Sequence, residues 1–177
     1  ALAAVDATVG QRVMRRTRIK ICGITTPEDA ATATAAGVDA IGLVFYPPSA
    51  RHLSLAQAGE VARAVGPFVA RTALFVDPTS ALVESVLVTV PIELLQFHGA
   101  ETAAFCRSFR RPYLKVARVR PGLDLVEYLM AYADATGWLL DTYKSDQAGG
   151  TGATFDWSAI PPELARPLVL SGGLDPQ

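Results

Sequence analysis

The chain has 177 residues, 50% hydrophobic and 19% charged, which is enough for one packed globular domain. Its 16 basic and 17 acidic residues argue against a basic face for nucleic acid or an anionic membrane, so the expected partner is a small molecule. No apolar run approaches the roughly 20 residues that cross a bilayer, and two cysteines without clustered ligands make neither a disulfide framework nor a zinc site, so a cytoplasmic protein is expected.

Residues 1–17 are expected to be an N-terminal extension without functional weight, its arginines a solvated tail rather than a nucleic-acid arm. The first strand signal is "RIKIC" (18–22), followed by a helix "PEDAATATAAG" (27–37) with Pro27 in its first turn and Gly37 as a C-cap. "DAIGLVF" (39–45) reads as a second strand and "SLAQAGEVARAVG" (54–66), capped by Ser54, as a second helix. "VARTALFV" (69–76), "IELLQF" (92–97) and "YLKVARV" (113–119) follow as strands, with "AAFCRSF" (103–109) helical between the last two. "GLDLVEYLMAYADA" (122–135) is a further helix, and "WLLD" (138–141) and "PLVLS" (167–171) are the sixth and seventh strands. Strand signals that recur roughly every 20 to 30 residues and are apolar on both faces indicate a parallel sheet covered by helices. A (β/α)₈ barrel over residues 18–177 is the leading fold; an open flavodoxin-like sheet shares the same alternation.

The chemically useful residues collect where strands end, which in such a barrel is the functional face. Cys22 ends the first strand, Arg51 follows the second, Asp77 ends the third, His98 the fourth and Asp141 the sixth. Taken singly, Asp77 before Pro78 is a turn residue, His98 before Gly99 is as often structural as functional, and Cys106 belongs to a helix core. A thiol and a carboxylate at one barrel mouth, however, form a pair that can take and give protons. Cysteine is a base only as thiolate, and Lys20, two residues earlier on the same strand face, would bring an ammonium near the sulfur. The competing reading packs Lys20 inside the barrel against a strand carboxylate. Two glycine runs complete the picture: "QAGGTGATFDW" (147–157), containing Gly149, Gly150 and Gly152, and "SGGLDP" (171–176), containing Gly172 and Gly173. Barrels commonly bind phosphate with backbone N–H groups after strands 7 and 8, although a glycine turn without phosphate is the commoner case.

The segments "KICGIT", "GLVFYPPSARHLS", "LLQFHGAET", "LLDTYKSDQAGGTGATFDW" and "LSGGLDP", in this order over residues 19–177, resemble the motif set of the phosphoribosylanthranilate isomerases. These are (β/α)₈ enzymes of tryptophan biosynthesis. The resemblance implies an Amadori rearrangement of N-(5-phosphoribosyl)anthranilate to 1-(2-carboxyphenylamino)-1-deoxyribulose 5-phosphate without metal or cofactor. It implies Cys22 as general base, Asp141 as general acid and Arg51 facing the anthranilate carboxylate. Lys20 and His98 fall among the substrate-binding positions, with Gly149, Gly150, Gly152, Gly172 and Gly173 on the phosphate side. Related isomerases of histidine biosynthesis use two aspartates, so a cysteine on the first strand favours the anthranilate type. A monomer or homodimer acting on a small sugar phosphate, and on neither nucleic acid nor membrane, is implied. In the family a helix, an eighth strand and a second phosphate loop follow the "GGLDP" motif; the sequence stops before them, and the expectation is that it is cut short relative to the chain that folds, the other reading being a seven-strand fragment with half its phosphate site missing. The alternatives are a non-catalytic barrel fragment that associates with another chain, or a phosphate-binding barrel isomerase for a related aminoaldose phosphate.

Overall fold

The computed structural model describes residues 16–120, 122–142, 157–161, 164 and 166–174. Strands β1 (Lys20–Cys22), β2 (Ala40–Val44), β3 (Ala70–Phe75), β4 (Leu94–Phe97), β5 (Tyr113–Val119), β6 (Gly137–Thr142) and β7 (Leu168–Leu170) fall on the seven anticipated runs. They form one parallel sheet in sequential order. A doubly wound sheet places later strands on both sides of β1, so this order already rules that alternative out.

Between the strands lie α1 (Pro27–Ala35), α2 (Leu55–Arg63), α3 (Ser80–Thr89), α4 (Ala103–Ser108) and α5 (Leu125–Met130). Their starts are chemically marked. Thr26 accepts from the Asp29 N–H ahead of Pro27, and Ser54 forms a reciprocal capping box with Gln57. Gly37 takes φ +82 just past α1, a conformation that L side chains avoid. The helix read over 122–135 is shorter than its pattern. After Met130 the chain tightens into successive turns, because the Tyr132 carbonyl is taken by the Trp138 indole and Asp134 accepts from the Tyr113 hydroxyl.

Alternation along the strands divides the sheet into two faces. On one face Ile41, Leu43, Phe75, Leu95, Phe97, Trp138 and Leu140 join the core formed with helix residues such as Ala58, Val61, Val86 and Leu129. Phe45, Phe75 and Phe97 stack across it with centroids 5.6 and 6.1 Å apart. The opposite face carries Cys22, Val44, Leu74, Gln96, Leu139 and Val169, which line a single cavity. In a flat sheet β1 and β7 would stand roughly 29 Å apart, six spacings of about 4.8 Å. Because both border one cavity, the sheet is curled into a barrel wall.

Among the described residues β1 and β7 are not paired with each other, so the wall keeps a seam, beside which Ile21 is 40% exposed. The start of β1 is tied down by Asp39, which accepts from Arg16 at 2.6 and 2.9 Å and from the Ile19 N–H at 2.8 Å. Arg16 is thus a structural anchor, although it lies in the stretch read as an extension.

Candidate active site

The cavity encloses about 360 Å³ at the carboxyl ends of the strands. Lys20, Cys22, Arg51, His98, Asp141, Gly172 and Gly173 all border it, so seven of the positions singled out in the sequence converge. Gly149, Gly150 and Gly152 lie outside the described residues.

Cys22 is positioned by what β2 lacks. It pairs in register with Gly42, and a Cβ added to that glycine would stand 2.7 Å from Cys22 Sγ and 2.9 Å from Lys20 Nζ. The sulfur and the ammonium therefore share the space above a bare Cα, separated by no more than the sum of those distances. Among the described residues Lys20 forms no ion pair with a carboxylate. A glycine inside a strand is the sequence signal for such a close approach.

Arg51 uses the next glycine in the same way. Gly23 has φ +85, and a Cβ there would lie 2.4 Å from Arg51 Cδ. The guanidinium crosses this saddle and donates from Nη1 to the Cys22 carbonyl at 3.1 Å, which places a planar cation at the rim beside the thiol.

Across the cavity, Asp141 is buried at the end of β6. Its Oδ1 accepts from the Thr142 N–H at 3.0 Å, and Oδ2 lies 3.2 Å from His98 Nε2. That second contact is within ion-pair range, although among the described residues the ring nitrogen makes no aligned hydrogen bond. Gly172, at φ +82, presses on the same carboxyl: a Cβ there would meet Asp141 Oδ1 at 2.8 Å and Thr142 Oγ1 at 2.6 Å. The glycine read as a phosphate-loop residue thus makes room for the Asp141 carboxyl.

Gln96 was not anticipated. It is 2% exposed on β4 and lines the cavity, and among the described residues its Oε1 has no partner. A glutamine at alternating spacing two residues before His98 was the available signal, masked by the apolar run around it. Asp77 is the turn residue expected, with φ 47 and its Oδ1 accepting from the Ala100 N–H. Cys106 is buried in α4, and burial pushes its thiol up to about 12, so it is inert core.

A thiol, a carboxyl and a guanidinium lining one small cavity suit acid–base work on an anionic substrate. A model of the N-(5'phosphoribosyl)anthranilate (PRA) isomerase family matches residues 19–177. This chain belongs to that isomerase family. The N-(5'-phosphoribosyl)anthranilate isomerase of Cellvibrio japonicus is 54% identical over 164 residues, covering 93% of this chain and 76% of the relative. The crystal structure of phosphoribosyl anthranilate isomerase from Thermotoga maritima superposes with a TM-score of 0.81 at 38% identity, covering 90% of this chain and 78% of that one. A phosphoribosyl anthranilate isomerase in complex with reduced 1-(o-carboxyphenylamino)-1-deoxyribulose 5-phosphate gives 0.73 at 34% identity, covering 90% and 77%. The curled seven-strand wall is accordingly the barrel of this isomerase family, and the doubly wound alternative falls on both grounds.

Proposed function

We propose that Cys22 and Asp141 are the base and the acid with which this chain performs its family's reaction, the Amadori rearrangement of N-(5-phosphoribosyl)anthranilate. The observation that carries the reading is that both line one cavity, Cys22 from β1 and Asp141 from β6, with Arg51 lining it too. Asp141 gives its proton to the ring oxygen of the ribose as the bond from that oxygen to C1′ breaks. The anthranilate nitrogen then shares its lone pair with C1′, forming an iminium. That positive nitrogen acidifies the C2′ proton, which the Cys22 thiolate removes, and the resulting enolamine becomes the 2-keto product by gaining a proton at C1′ while its 2′-hydroxyl gives one up.

The surroundings support each step. Lys20 Nζ shares the space above Gly42 with the Cys22 sulfur, so a cation stands beside the base. Burial keeps water away from the Asp141 carboxyl, and the Thr142 N–H and His98 stand beside the charge that proton transfer would leave on it. Arg51 offers a bidentate donor to the anthranilate carboxylate, and the Gly172–Gly173 turn offers backbone N–H groups to the phosphate. The ligand is a small sugar phosphate. A cytoplasmic location goes with that biosynthetic reaction.

The test follows loss of phosphoribosylanthranilate fluorescence for this chain beside Cys22→Ser and Asp141→Asn. Each variant is expected to lose about 10²–10⁴ in kcat, the range for general acid–base groups. Turnover near the parent's in either variant would remove that residue from its role.

A further inference from the structure

Outside the cavity, between the sheet and its helices, lies a buried ion pair that the reaction does not use directly. Lys115 projects from β5 into the apolar layer and is 0% exposed; Glu101, in the loop after β4, is 6% exposed. Lys115 Nζ donates to Glu101 Oε2 and to the Gly99 carbonyl, both at 2.7 Å, and stands 5.2 Å from the centre of the Tyr132 ring. Glu101 Oε1 accepts from the Asp77 N–H at 2.9 Å and the Gly99 N–H at 3.0 Å. Tyr132 closes the cage by donating its hydroxyl to the Glu101 carbonyl at 2.9 Å.

Every one of these bonds ends on the segment 98–101 or on Asp77, which abuts it. The same segment is held from above, where Arg118 Nη2 donates to the His98 carbonyl at 3.1 Å and the His98 N–H donates to the Phe75 carbonyl at 2.9 Å. His98, at the head of the segment, sets its ring against Asp141. Desolvating a Lys–Glu pair is expensive, and well-packed apolar residues often serve stability as well or better. What an apolar pair cannot do is fix two backbone N–H groups and a carbonyl at set distances. The function of the pair is therefore geometric.

We propose that Lys115 and Glu101 are positioning residues for the reaction: through Gly99 they hold the loop that keeps His98 against Asp141. This rests on the reading of Asp141 as the acid, and both parts are tested together. Glutamine at 101 keeps size and polarity but cannot accept from Lys115 and from two backbone N–H groups at once. Glu101→Gln is expected to lower kcat about 10–100-fold, since about 1 Å of misplacement can cost 10²-fold, while KM stays within about twofold. Should that variant fail to fold, the apolar replacement Lys115→Met/Glu101→Leu keeps the site filled without buried charge and is expected to show the same kcat loss with a cooperative melt.

The decisive measurement is coupling. In a His98→Asn background, Glu101→Gln should add less than about twofold, because the position it guards is already lost. Full multiplication of the two losses would assign the pair a general structural role and overturn the proposal. So would parental kcat in a folded Glu101→Gln or double apolar variant. Asp141→Asn, measured beside them, separates the two failures. If it retains parental kcat, the acid assignment falls and this proposal with it. If it loses kcat while the Glu101 variants do not, only the positioning role is refuted.

Discussion

Gly42→Ala is the sharpest perturbation of the site, because it adds one methyl to a residue that carries no chemistry. Ordinary van der Waals contact begins at about 3.5 Å, whereas the new Cβ would lie 2.7 Å from Cys22 Sγ, so the sulfur has to retreat by about 0.8 Å or more. Lys20 Nζ, at 2.9 Å, can swing away on its flexible stem; the Cys22 Cα, at 3.1 Å, moves only with the strand. With Cys22 as the proposed base, displacing its sulfur by nearly 1 Å is expected to cost about 10²-fold in kcat, near 2.7 kcal/mol of barrier, with an overpacking cost of about 1–3 kcal/mol in stability. The assays are loss of substrate fluorescence, urea denaturation, and the rate of Cys22 alkylation, which Cys106 does not contaminate because it is fully buried. A folded Gly42→Ala variant with kcat within twofold of the parent would refute the claim that Cys22 acts from the position the bare glycine provides.

Two further outcomes follow from charges at the rim and outside the barrel. Arg51→Ala should raise KM more than it lowers kcat, and Arg51→Lys should restore little, since a point charge lacks the planar fork; steady-state kinetics showing a pure kcat loss would give the residue another role. Glu93 is pulled two ways: burial raises its carboxyl, but hydrogen bonds from the Arg71 side chain and backbone outweigh this and leave it below its ordinary 4.5. A carboxyl whose folded-state value is depressed stabilises above its unfolded value and loses that contribution as pH falls through the folded one. Glu93 is half-exposed, so Glu93→Gln should cost at most about 1 kcal/mol at pH near 6 and almost nothing near pH 3. Urea titrations with an equal gap at both pH values would rule the ion-pair account out.

The residues that could be read ahead of the structure share one property: their signal is local. Pro27, Ser54 and Gly37 mark helix ends through backbone conformation and hydrogen bonds a few residues away, and the structure places each in that role. Cys22, Arg51, His98 and Asp141 were legible because strand ends in a parallel α/β unit face one side, and all four border the cavity. What escaped was non-local. The helix over 122–135 stops early because Trp138 and Tyr113, on two different strands, claim its last polar groups. Gln96 hid in an apolar run, and Lys115 sat in a strand pattern that gave no hint of a buried charge, because its partner Glu101 is reached only when β4 and β5 pair.

Sequence by itself determined the alternation of strand and helix, the side of the sheet on which chemistry would stand, and through its motifs the family. Those follow from periodicity, capping and residue identity, all carried within a few tens of residues. Only the tertiary structure decided that β1 and β7 border one cavity and that Gly42 and Gly23 leave room for a thiol and a guanidinium. It alone brings His98 to Asp141 above a buried ion pair. Such facts depend on how far the sheet curls and on which side chains meet across it, quantities set by the packing of the whole wall and by no single segment.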